Sequence, residues 1–324
     1  MFDLPMLMWA MQTPEEQVLD SCLHQLKAGS PPDVVLLGSS LMEYPTWFAD
    51  SGDTLPNEAY YHFRSKTMEK NCVKAKNILN LSVPLLNASD ASRIVDSYLS
   101  GLAHPRILVY GVGPRDFYDN LLSKPNTSKY FNYLSRGSDF YSNKDAYFAN
   151  ASDAVTSLLT RAFFIFQRRE QLLLLGKSTI KEILHINHPA SPGSLFPMGP
   201  QRNIPEYTLH YKNITETKLE LQLTFLNQML ATCARQHIRV ILTSMPLTKE
   251  NRALLPDHLY FNLNQHLAKL AILNGQRFLN ANGPEYGTDD FLDSVHLNAK
   301  GSRKFLKMIA PLIDAEMVPR RRSD

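Results

Sequence analysis

The reactive side chains of this sequence sit at three separated places. Ser39 and Ser40 stand side by side in DVVLLGSSLMEY (33–44), directly after four apolar residues and Gly38. Near the C-terminus, DSVHLNAKG places Asp293 three residues before His296, a spacing that lets a carboxylate and an imidazole share one side of a turn. Between them lies GVGPRDF, with Arg115 and Asp116 after a glycine and a proline. A serine hydroxyl is a weak nucleophile at neutral pH. It needs a histidine base, a group that orients the base, and donors for the oxyanion that forms on the substrate. Serine, histidine and aspartate supply the first three, and Arg115, a permanently charged donor, is a candidate for the fourth.

These residues serve chemistry only if the fold brings them together. Val34 to Leu37 read as a strand buried in a parallel sheet and closed by Gly38, so Ser40 lies at that strand's carboxyl end, where ligands bind in open α/β sheets. Further strands are expected at 77–82 (NILNLS), 106–113 (RILVYGVG), 238–246 (IRVILTSMP) and 276–282 (QRFLNAN). Helical patterns run from Thr13 to the breaker AGSPP, around DASRIVDSYLSGLA with Ser89 or Asp90 as its cap, from about Thr215 to Gln236, around Asn262 to Asn274, and from Ala299 to about Glu316. Alternating strands and helices predict a doubly wound α/β domain: a three-layer sandwich with about five parallel strands. More than a hundred residues separate the third and fourth strands, far beyond an ordinary crossover, so a mostly helical insertion at about 117–212 is expected within a single domain spanning 1–324.

Composition narrows the function. The chain of 324 residues is 44% hydrophobic and 20% charged with a net charge of +3, which fits a folded globular protein and gives no case for nucleic acid. The basic run RRRSD at the C-terminus reads as a solvated tail. Cys22, Cys72 and Cys233 are odd in number and far apart, so they predict core thiols rather than disulfides or a zinc motif. His185 and His188 in HINH lack an evident third ligand, and neither a metal nor a cofactor is expected. No stretch reaches the ~20 apolar residues of a membrane span, and the start lacks a signal-peptide pattern, so the chain as given leaves the compartment open.

The three blocks, in this order, resemble those of the SGNH or GDSL hydrolase superfamily. GSSL (Gly38 to Leu41) stands where that family carries its first block, which assigns the nucleophile to Ser40 rather than Ser39. Asp293-Ser-Val-His296 matches its aspartate-x-x-histidine, and Gly113-Pro-Arg115-Asp116 occupies the place of its glycine-x-asparagine-aspartate. The resemblance implies a flavodoxin-like fold, serine ester chemistry and an oxyanion hole built from the nucleophile's N–H, a glycine after the second strand and the third-block asparagine. This sequence departs at the last two: NLSVPLLNASDA has no glycine, so Ser82 or a nearby backbone N–H would serve, and Arg115 replaces the asparagine. Among relatives, the pattern is closest to acyl-transfer proteins of bacterial envelopes, those of teichoic-acid D-alanylation and alginate O-acetylation, and to cyanobacterial SGNH-like proteins. That implies acyl-ester chemistry on a glycan or envelope polymer in the cell envelope or periplasm, by an esterase or an O-acyltransferase.

Blander readings stand beside each of these. Ser39 and Ser40 could simply cap the next helix. Asp289 and Asp290 compete with Asp293 to orient the base, and Arg115 with Asp116 could be a plain ion pair. The apolar helix interrupted by Arg161, Arg168 and Arg169 suits core packing better than a membrane-surface or partner-helix role. From a different class of function, the fold could serve as a non-catalytic carbohydrate-binding or envelope-assembly module, with Tyr and Phe faces of the insertion contacting sugar.

Overall fold

A computed structural model of the chain describes residues 14–28, 30–53, 64–100, 104–121, 128, 130, 134, 148, 150–162, 202–214 and 216–318. Five strands form one sheet: β1 (Val34–Gly38), β2 (Ile78–Asn80), β3 (Ile107–Val112), β4 (Arg239–Ser244) and β5 (Arg277–Asn280). All pairings are parallel and the order is β2-β1-β3-β4-β5, so the direction of winding reverses between β1 and β3. This is the doubly wound architecture expected from the alternation of elements. β1 and β3 are buried along their whole length, which is why both read as continuous apolar runs rather than alternating ones. The expected second and fifth strands shrink to three and four residues, β5 lying half-exposed at the sheet's edge.

Helices on both faces complete the sandwich: α1 (Pro14–Ala28), α2 (Ser40–Ser51), α3 (Lys66–Asn71), α4 (Ala88–Ile94), α5 (Arg115–Tyr118), α6 (Ala151–Ala162), α7 (Ile204–His210), α8 (Glu216–Arg235), α9 (Lys249–Arg252), α10 (Asp257–Leu273) and α11 (Ala299–Glu316). The close seat of α2 on the sheet depends on Gly38, because a Cβ there would lie 2.5 Å from the Gly111 carbonyl oxygen of β3 and 2.8 Å from the Met42 Cβ. Gly113 makes room in the same way for the Leu41 side chain, which would meet its Cβ at 2.5 Å. These two glycines let the loops carrying Ser40 and Arg115 come together.

The cap of α4 differs from the expected one. Asn87, not Ser89 or Asp90, is the N-cap; its side chain accepts from the Asp90 N–H while the Asp90 carboxylate accepts from the Asn87 N–H, a capping box. Reading the cap one turn late placed a third-position acid at the boundary. Asp90 is buried, and Ser128 Oγ donates to its Oδ2 at 2.6 Å. Burial pushes this carboxyl from 3.8 up to about 7 against the opposing pull of Ser128 and the Asn87 amide, and burial likewise raises Asp116 to about 6 against the Arg115 charge. A carboxyl raised on folding binds its proton more tightly in the native state, so the contribution of Asp90 to stability falls as pH rises from about 4 to about 7. Asp90→Asn is expected to flatten this decline. Melting temperatures measured across that range check it, and an unchanged slope in the variant would contradict the burial argument.

Most of the expected insertion at 117–212 lies outside the described residues, as do HINH and the basic tail. The parts described are the end of α5, Asp119 to Leu121, the single residues Ser128, Tyr130, Leu134, Phe148 and Asn150, α6, and the segment Arg202 to Lys212 containing α7. The first four side chains of α6 that can be followed, Ala151 to Ala154, are half-buried or exposed. No helix of the described residues is long and apolar enough to cross a membrane.

Candidate active site

Ser40 is the first residue of α2, projected from the carboxyl end of β1. Ser39 occupies the N-cap position but makes no side-chain cap bond; it is buried, near enough to the Asp116 carboxylate to pull that group's pKa down a little. Ser40, the next residue, faces the C-terminal turn.

That turn is tightly tied. Phe291 and Leu297 form an isolated antiparallel bridge, and the Leu292 N–H donates to the His296 carbonyl at 2.8 Å, so residues 292–296 close into a narrow loop just ahead of α11. Thr248, at the end of the β4 loop, donates its hydroxyl to the Ser294 carbonyl at 2.8 Å. Within the loop, Asp293 Oδ1 accepts from the Val295 and His296 N–H groups at 2.9 and 2.8 Å. Its Oδ2 bonds His296 Nδ1 at 2.7 Å, and His296 Nε2 lies 2.9 Å from Ser40 Oγ. Three side chains separated by up to 256 positions thus form one unbroken hydrogen-bonded line.

A carboxylate at Nδ1 fixes the neutral ring with its proton on that nitrogen, which leaves Nε2 as an acceptor for the Ser40 hydroxyl proton. Tyr44, one turn along α2 from Ser40, lies against the imidazole with ring centroids 4.5 Å apart and limits its swing. Burial pushes the Asp293 carboxyl up, but the charge and hydrogen bond of His296 and the two backbone amides outweigh it, so Asp293 sits below the ordinary carboxylate value. It stays ionised wherever the ring needs a counter-charge.

The competing carboxylates are accounted for elsewhere. Asp290 accepts from Lys304 at 2.6 Å and from the Gly287 N–H, and Asp289 pairs with Lys300, so both brace the start of α11 and neither faces the imidazole. Arg115 is buried, 8% exposed, and its ion pair is with Asp119 at 4.0 Å rather than with Asp116. Arg115 and Asp116 feel each other's charge, but the ion-pair contact goes to Asp119, four positions on along the turn. Asp116 accepts from the Gly113 N–H at 2.8 Å, which ties the start of α5 to the end of β3. Burial opposes the Arg115 charge, and Tyr207, Asp116, Asp119 and Tyr211 together overcome it and hold its pKa up.

At the end of β2 the Ser82 N–H is already taken by Asn80 Oδ1 at 3.0 Å, whereas the buried Ser82 hydroxyl has no hydrogen-bond partner among the described residues. Of the two donors that residue offers, only the hydroxyl is uncommitted. Beside the acid turn, Thr248, Arg252, Tyr286, Thr288 and Phe291 help line a cavity of about 520 Å³. Among the described residues no cluster of three or more metal-ligating side chains occurs.

The segment Arg202 to Tyr211 was invisible as a site in the sequence. Asn203 Nδ2 donates to Asp293 Oδ2 at 2.9 Å, and His210 Nδ1 meets Asp119 Oδ1 at 2.8 Å. NIPEYTLHY carries none of the spacings that mark catalytic blocks, and its partners lie 90 residues ahead and 91 behind, so only the folded chain reveals them.

Fold and side chains together define a doubly wound α/β protein with a hydrogen-bonded Ser–His–Asp array at the carboxyl edge of its sheet. No family model matches the chain, and no curated protein matches it. Among solved structures it is similar to the lipase/acylhydrolase from Enterococcus faecalis, at 11% identity and a TM-score of 0.42, over 89% of this chain and 98% of that one. A likeness at that level does not bear on what this chain does.

Proposed function

We propose that the protein is a serine acyl-transfer enzyme. Ser40 Oγ attacks an ester carbonyl as its proton passes to His296 Nε2, and Asp293 holds the ring and balances the imidazolium charge. The tetrahedral oxyanion is met by the Ser40 N–H, with Arg115 and the Ser82 hydroxyl as further donors. Collapse expels the alcohol, which takes the proton back from Nε2 and leaves an ester on Ser40. Water, deprotonated by the same ring, then releases the acid, giving an esterase; a sugar hydroxyl in its place gives an O-acyltransferase. The observation that carries this reading is the continuous line from Ser40 Oγ through both ring nitrogens to Asp293. The resemblance of the three blocks to envelope acyl-transfer proteins supports a glycan or related envelope polymer as the ester's carrier.

A fluorophosphonate probe tests the chemistry without knowledge of the substrate. The protein is expected to label at Ser40 and the Ser40→Ala variant to remain unlabelled. A folded protein that takes no label would favour a binding module that kept the fold and lost the reaction.

A further inference from the structure

We infer that Asn203 is a positioning residue of this site, so that the chain between β3 and β4 completes the machinery as well as flanking it. The inference rests on the serine acyl-transfer reading and adds to it a fourth side chain.

Asn203 is the N-cap of α7, where an asparagine ordinarily accepts a hydrogen bond from its own helix. Here the side chain makes no cap bond. It donates instead to Asp293 Oδ2, the same oxygen that receives the His296 Nδ1 proton. A carboxylate can only accept, so the amide must present its nitrogen, and the orientation is fixed by chemistry. The Asp293 carboxylate then has four donors: two backbone N–H groups on Oδ1, the ring and Asn203 on Oδ2. With the amide gone, the ring is the sole side-chain donor left on Oδ2 among the described residues and the carboxylate has more room to rotate; with it in place, the lone pair facing Nδ1 is determined.

The backbone supports this assignment. Asn203 has φ of 69° and ψ of −2°, the left-handed region that asparagine tolerates and that turns its side chain away from α7. The segment is tied down on both sides of that point. The Ser294 N–H donates to the Arg202 carbonyl at 3.2 Å, the Asn120 N–H donates to the His210 carbonyl at 2.8 Å, and His210 meets Asp119. Tyr207, between these ties, is buried close enough to Arg115 and Asp293 to feel both charges. The strap thus joins the acid turn to the β3 loop, with Asn203 at its point of contact with the acid.

Two substitutions separate positioning from mere support. Asn203→Gly deletes the side chain while keeping the left-handed backbone without strain, and Asn203→Asp preserves shape but replaces the donor with a second carboxylate. Expected for the glycine variant is a fall of about 10- to 100-fold in kcat on an activated ester with KM little changed, the range of a hydrogen bond to a charged group. The aspartate variant is expected to lose more, despite being isosteric. The low-field proton resonance of His296 Nδ1–H is expected to move or broaden in both, a readout that does not need turnover. A displaced resonance in a protein that turns over no ester would keep the positioning role and sink the acyl-transfer reading. An unmoved resonance with kcat within about twofold in both variants would overturn the inference.

Discussion

Ser40→Ala is expected to lower kcat/KM on an activated ester by about 10⁴- to 10⁶-fold, the loss seen when the nucleophile is removed from a unit whose members act together. The fold should survive. Ser40 is half-buried at the first turn of α2, its neighbour Ser39 holds the cap position, and among the described residues its hydroxyl hydrogen-bonds the His296 ring alone. Melting temperatures of variant and parent should therefore agree within a few degrees. Burst kinetics with a chromogenic ester give the second half of the test: the parent should release one equivalent of alcohol ahead of steady state if resolution of the acyl-enzyme is slow, and the variant none. Turnover within tenfold of the parent would mean that the nucleophile lies elsewhere.

Asp293→Asn should cost about 10⁴-fold in kcat, because the exchange of one oxygen for NH₂ creates a conflict that no side-chain flip removes. Asp293 Oδ1 accepts two backbone N–H groups and Oδ2 accepts two side-chain N–H groups. An amide has an oxygen for one of these pairs only. With its nitrogen toward Val295 and His296 backbone amides, the turn opens; with its nitrogen toward the ring, His296 must present a bare Nδ1 and carry its proton on Nε2, facing Ser40 Oγ, where a base is needed. Stability follows the same carboxylate. Its folded value lies below the ordinary one, so its contribution is present above the unfolded carboxyl value of about 3.9 and is lost as pH falls through the folded value. The difference in melting temperature between parent and Asp293→Asn should thus be largest above about pH 5 and close in stronger acid. A rate within tenfold of the parent would remove Asp293 from the reaction.

The alternative readings fail for specific reasons of geometry. Asp289 and Asp290 precede the imidazole by only seven and six residues, but Lys300 and Lys304, in the first two turns of α11, claim them. Of the two adjacent serines, Ser40 is the one whose hydroxyl reaches the His296 ring, while Ser39 is the buried N-cap residue of α2. The positions that matter are set by direction as much as by residue type.

What the sequence determined by itself was the part written in local pattern. The apolar run Val34 to Leu37 closed by Gly38 specified a buried parallel strand and a sharp turn, and the three-residue spacing of Asp293 and His296 specified a carboxylate beside an imidazole. Both signals are short-range, set by the burial of a strand on both of its faces, by steric limits on turns and by the reach of neighbouring side chains. What only the tertiary structure decided was every pairing across long loops: the 2.9 Å approach of Ser40 to His296, the choice of Asp119 rather than Asp116 for Arg115, the loss of the Ser82 N–H to Asn80, and the arrival of Asn203 at Asp293. Such contacts leave no periodicity in the chain. They arise because sheet order, set by the burial of whole strands, brings remote loops to one edge, and there the shape of the backbone selects which polar atoms meet.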